Sequence, residues 1–208
     1  MALPTRLRDS LALIPVWWSI LLQWWGILLL ASGCAGGPPA PDWQENAAQA
    51  LQAFQRQYFA GNTATAEGEF RTARAELART GRADLLARAE LVRCAVRAAS
   101  LEFDGCPGFE ALRYGARPEE LAYADYLAGK GSHRAQDDPL SRLVAHAVSL
   151  RNAAINPAGI GAAVDIASAQ GWRRPLLAWL GVQEKRAADA GDSETAARVR
   201  RRIELISG

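Results

Sequence analysis

The hydrophobic pattern divides the chain in two. From Leu11 to Ala31 the side chains are almost continuously apolar, with only Ser19 and Gln23 clearly polar. From Asp42 onward apolar residues recur every three or four positions, which is the spacing of a helix with one buried face. Between the two lies Ala35-Gly36-Gly37-Pro38-Pro39-Ala40-Pro41. This stretch offers no apolar face and mixes Gly freedom with Pro stiffness, so it reads as a tether.

The periodic part predicts an all-α domain of about eight helices arranged as antiparallel hairpins. Val and Ile are too sparse and scattered to argue for strands, while Ala and Arg, both strong helix formers, abound. The first helix starts at Asp42, where Asp42 and Glu45 have capping-box spacing, and it carries Ala47, Leu51, Phe54 and Tyr58 on one face before Gly61 ends it. The second carries Ala66, Phe70, Ala73 and Leu77 and stops at Gly81. The third, from about Ala83 to Phe103, has two apolar stripes: Ala89, Val92, Val96, Ala99 and Phe103 form one, and Leu91, Cys94, Ala98 and Leu101 the other. A helix apolar on two sides is expected to be central. Asp104-Gly105 breaks it, and Cys106-Pro107 begins a short helix anchored by Phe109 and Leu112.

Later helices are predicted to begin at Arg117-Pro118, Asp138-Pro139 and Asn156-Pro157, with a polar loop over Lys130 to Asp138. The last pair spans about Pro175 to Ala190 and Ser193 to Ile206. Its turn, Ala190-Gly191-Asp192-Ser193-Glu194-Thr195-Ala196, repeats the spacing of Ala60-Gly61-Asn62-Thr63-Ala64-Thr65-Ala66. Gly61, Asn62, Ala66, Phe70 and Ala73 together resemble a tetratricopeptide repeat, in which a Gly and a polar residue close one helix and Ala, an aromatic and Ala follow in the next. Phe54 stands where that motif has Gly, no Pro ends the second helix, and Arg200 takes the place of Phe70 in the second copy. The resemblance therefore implies a degenerate tetratricopeptide-like array, with plain helical hairpins as the alternative.

The apolar start is preceded by Arg6 and Arg8, the order of a secretory signal. It ends in Leu30-Ala31-Ser32-Gly33-Cys34, and the four residues Ala31 to Cys34 resemble the lipobox of bacterial lipoproteins, with Ala31 where Leu is commonest. That resemblance implies cleavage before Cys34, lipid on Cys34, and, with Ala35-Gly36 following and no Asp, an outer-membrane position on the inner leaflet facing the periplasm. The domain plan is then a signal peptide over 1–33, a lipidated cysteine and tether over 34–41, and the helical domain over 42–208. The alternative is a retained single-pass inner-membrane helix, because about 20 apolar residues also suffice to span a bilayer.

Charge and composition limit the function. From Cys34 onward 22 basic and 21 acidic side chains remain, a balance that argues against nucleic acid as a dedicated partner. Export would place Cys94 and Cys106 in an oxidising compartment, where a disulfide is expected; two buried thiols are the alternative. His133 and His146 read as surface residues, no His/Cys spacing matches a zinc site, and no Gly-rich loop follows a strand, so no cofactor is expected. Two clusters read as candidate partner-binding residues: Trp172, Arg173 and Arg174, with Trp179 taken as core, and the basic group Arg198, Arg201 and Arg202 beside Arg200 on the last helix. The expected function is a lipid-anchored adaptor for another envelope protein. The alternative is an envelope enzyme acting on cell-wall polymer, which would need two carboxylates converging in a cleft.

Overall fold

The computed structural model describes residues 41–208. The proposed signal, the lipobox with Cys34 and the tether up to Ala40 lie outside the described residues. Among the described residues there are nine α-helices and no strand: α1 (Asp42–Ala60), α2 (Thr63–Ala78), α3 (Ala83–Ala99), α4 (Pro107–Glu110), α5 (Pro118–Leu127), α6 (Pro139–Arg151), α7 (Pro157–Ala169), α8 (Arg173–Asp189) and α9 (Ser193–Ser207), with a single 3-10 turn at Arg113–Gly115. None of these helices is long and apolar enough to cross a membrane.

Helix starts follow local chemistry. Asp138, Asn156 and Asp192 each accept a backbone N–H from three residues ahead, at 3.0, 2.8 and 2.9 Å. Pro139 and Pro157 occupy the first turn, where a missing N–H costs nothing. The capping box expected at Asp42 does not form. Pro41 takes the cap position without a side-chain bond, and Asp42 serves instead as a first-turn acid.

Helix ends share one device. After α1, α3, α5, α6, α7 and α8, paired backbone bonds close the last turn around a residue with positive φ: Gly61, Leu101, Gly129, Ala153, Gly171 and Gly191. Four are glycines, which adopt this conformation without steric cost. Ala153 is exposed and packs nothing, yet sits at φ 53°. Ala153→Gly is therefore expected to raise stability by about 0.5–1 kcal/mol, the relief of left-handed strain being partly offset by a freer unfolded chain. A rise in the midpoint of urea unfolding checks this, and an unchanged or lowered midpoint refutes it.

The central role expected of the third helix holds. α3 packs against α1, α2, α4, α5 and α6, and Ala87, Ala89, Leu91, Cys94, Ala95, Val96, Ala98 and Ala99 are all buried. Its end differs from expectation. The helix stops at Ala99, four residues before Phe103, because Leu101 turns left-handed and the Trp179 indole donates to the Ala99 carbonyl at 3.1 Å. Phe103 lies outside, against the Arg151 guanidinium.

The two matching turns superpose in their bonding. The Gly61 and Gly191 N–H groups bond Tyr58 and Ala188, the Asn62 and Asp192 N–H groups bond Gln57 and Ala187, and Ala66 and Ala196 are both buried. One layer further in, the hairpins diverge. Phe54 and Phe70 form a buried aromatic pair with centroids 5.2 Å apart. The corresponding residues Glu184 and Arg200 form an ion pair at 2.8 Å. The two hairpins also differ in packing among the described residues: α2 packs against both α1 and α3, whereas α9 packs mainly against α8. Packing also runs beyond sequence neighbours, as α8 returns to pack against α1.

Candidate functional site

Most of the charge that looked available for binding is used inside the domain. Trp172 is half-buried, with its ring 4.6 Å from that of Phe59 on α1. Arg173 donates to the carbonyls of Ile206 and Ser207 at 3.2 and 3.3 Å, closing the open end of α9. Arg174 bonds Thr63 Oγ1, the Gly61 carbonyl and Glu102, and its guanidinium lies 4.1 Å from the Tyr58 ring. Trp172 and Arg174 therefore fasten the start of α8 to α1 and the α1–α2 turn, while Arg173 ties it to the end of α9. On α9, Arg198 bonds Glu194 and Thr195, and Arg202 bonds Ser168 on α7. Arg201 is exposed.

Cys94 and Cys106 form a disulfide, with Cα atoms 5.7 Å apart. Asp104 brings a carboxylate within 4.8 Å of both sulfurs, but its oxygens already accept the Cys106 N–H at 3.0 Å and face Arg97 at 3.3 Å. A cavity of about 100 Å³ adjoins this loop.

Two carboxylates, Glu90 on α3 and Glu120 on α5, are buried. Glu90, 2% exposed, meets Arg74 on α2, while Arg93 bridges to Glu67 at 2.8 Å and covers the Phe70 ring. Burial pushes the Glu90 carboxyl up, against the pull of Arg74 and Arg93. Gly108 on α4 lies against this carboxylate so closely that any Cβ there would collide with it. Glu120, 4% exposed, accepts Arg88 Nε and Nη2 at 3.2 and 3.1 Å with one oxygen and the Arg117 backbone N–H at 2.7 Å with the other.

A wider opening adjoins that second pair. A pocket of about 400 Å³ is lined by Leu91, Val92 and Ala95 on α3, Tyr123 on α5 and Leu140 on α6, with Arg88, Glu119, His133, Gln136 and Ser141 among its polar positions. Its volume falls in the range of small-ligand and side-chain pockets. The His133 ring stands 5.0 Å from that of Tyr123 and 5.2 Å from that of Tyr126, so the 128–138 loop reaches back over α5. Asp138 starts α6 beside the pocket. Burial opposes its ionisation, but hydrogen bonds from Ser141 and Leu140 hold its carboxyl below the ordinary range. Glu119 and Glu120 stand in the first turn of α5, where acids are ordinary, and His133 is exposed. The available signal was Glu119 and Tyr123 at i, i+4, which puts an acid and an aromatic on one face of a helix. His146, expected to be solvated, is half-buried, and burial with nearby Arg142 lowers its pKa.

Tyr123 and Tyr58 both have phenols pushed up to about 12. Burial is the main cause for each; Tyr126 and Asp138 add to it at Tyr123, and Glu102 at Tyr58. Their neutral forms are favoured by folding, so this contribution is intact below pH ~10, the unfolded value, and is lost as pH rises through about 12. Phenolate absorbance should rise together with unfolding in that window. Free titration of all tyrosines near pH ~10 in the folded state would refute this.

Compared with protein-family models, with curated proteins and with solved structures, the chain finds no significant match in any of the three.

Proposed function

We propose that this chain is an envelope lipoprotein, anchored through lipid on Cys34, whose helical domain is a docking adaptor for another envelope protein. The observation that supports docking is the pocket of about 400 Å³ between α3, α5 and α6, mostly apolar and rimmed by polar groups. Small sites of this composition suit the burial of an anchoring side chain from a partner. The groups of Trp172, Arg173 and Arg174 make contacts within the chain, so the reading places the partner at the pocket.

The lipid-anchor part rests on the lipobox resemblance at Ala31 to Cys34. Several acyl chains together hold a protein stably to a membrane, which one chain does not. The seven residues Ala35 to Pro41 would let the domain stand at most ~25 Å from the lipid surface, at ~3.5 Å per extended residue.

Two measurements test the proposal separately. Mass spectrometry of the mature N-terminus should find an acylated Cys34, and an intact Met1 would replace the lipid anchor by a retained helix. In intact cells, a photoreactive residue at Gln136, on the pocket rim, should crosslink to one envelope protein, whereas the same group at Arg71 on α2 should not. Absence of any specific adduct at Gln136 would end the adaptor reading.

A further inference from the structure

We propose that the α3–α5–α6 pocket receives a partner segment carrying a planar apolar side chain next to a lysine or arginine. The inference rests on the adaptor reading and adds the chemistry of the segment.

The shape of the pocket selects the apolar part. Leu91, Val92, Ala95 and Leu140 supply an apolar lining, and the rings of Tyr123 and His133 meet nearly edge to face, with 67° between their planes. A planar side chain entering between the aliphatic lining and these rings buries apolar area and gains stacking geometry.

Charge selects the neighbouring residue. Arg88 is the one cation among the described lining residues, and it is neutralised by Glu120. Every hydrogen bond that Glu120 makes is directed at Arg88 or the Arg117 backbone, so it offers little to an incoming group. Glu119 is different. Its side chain is 63% exposed, and its nearest cation, Arg117, stands 3.9 Å away while bonding Asp84 at 3.1 Å. Asp138 adds a second carboxylate close enough to Tyr123 to act on its phenol. Among the charged lining residues Glu119 is thus the one without a close partner, and the aromatic faces beside it attract cations as well. An anionic segment would meet Glu119 with no free lining cation to offset the repulsion.

The test uses the full chain in detergent and two dipeptides of opposite charge, N-acetyl-Trp-Arg-amide and N-acetyl-Trp-Glu-amide, with binding read by saturation-transfer NMR. The Arg peptide should bind about three- to fivefold more tightly, the scale of one exposed ion pair. The charge-reversed variant E119K, at an exposed position that leaves folding intact by circular dichroism, should invert that preference. H133A, also at an exposed position, should weaken both peptides. Equal binding of the two peptides, a preference unchanged by E119K, or no binding of either overturns the proposal. Failure here together with a specific Gln136 crosslink would remove the segment chemistry and leave the adaptor reading standing. The predicted preference together with no crosslink would remove the adaptor and leave the pocket's selectivity.

Discussion

Replacing Trp179 by Ala is expected to lower the stability of the helical domain by about 3–5 kcal/mol, the usual cost of truncating a large buried aromatic. Trp179 is fully buried on α8, and it does two jobs. Its ring fills the space between α8 and the end of α3. Its Nε1–H donates at 3.1 Å to the Ala99 carbonyl, which no backbone N–H reaches. Losing the ring leaves a cavity, and losing the donor leaves a buried acceptor unpaired, a further cost of about 1–3 kcal/mol if water cannot enter. For a domain of this size the melting temperature should fall by roughly 10 °C or more. Trp179→Phe separates the two effects, since it keeps much of the volume and loses only the donor, and should cost roughly half as much. Thermal unfolding followed by circular dichroism measures both variants. A loss under about 1 kcal/mol for the Ala variant would show that α8 does not depend on this contact.

The contact also explains what could be read from the sequence and what could not. Helical periodicity in 83–103 is real, and Leu101 and Phe103 continue it, so nothing local marks Ala99 as the end of α3. At that end Leu101 turns left-handed and the Ala99 carbonyl is taken up by a residue 80 positions away. Features decided within a few residues were legible: the caps at Asp138, Asn156 and Asp192, the paired turns at Gly61 and Gly191, and the central position of α3 from its two stripes. Features decided by long-range packing were not. Glu90 looks like a solvated acid until α2 and α4 close over it, and the Trp172-Arg173-Arg174 run looks like an interface until α8 is seen against the α1–α2 turn.

The candidate pocket belongs with the second group. Its lining comes from three helices and a loop, and no window of sequence holds more than part of it. The all-α class survived because class depends on period and propensity summed over many residues. The site did not, because it depends on which faces meet. The ion pair Glu184–Arg200 sits between these extremes. Sequence comparison of the two hairpins shows that Phe70 is replaced by Arg200, and the structure shows what the exchange does: Arg200 pairs with Glu184 on a helix that packs mainly against α8.

Opening the Cys94–Cys106 disulfide should cost about 3 kcal/mol, the chain-entropy value for closing a loop this short. The consequence should be local before it is global. The bonded loop holds two non-glycine residues, Leu101 and Cys106, in the left-handed region at φ 62° and 55°. It also carries Glu102 and Asp104, which face Arg97 at 3.5 and 3.3 Å, and Glu102 further reaches Arg174 at 3.3 Å. Freed of the crosslink, the loop can relax both backbone strains at the expense of those ion pairs, and Pro107–Glu110 loses its fixed start over Glu90. Hydrogen exchange should therefore accelerate first over residues 100–112, then at the start of α8, where Arg174 loses a partner, and last in α9. The melting temperature of the reduced protein, or of a variant with both cysteines changed to Ser, should fall by roughly 6–12 °C. If reduced and oxidised forms melt together and exchange alike over 100–112, the loop is held by its packing and the disulfide adds nothing to it.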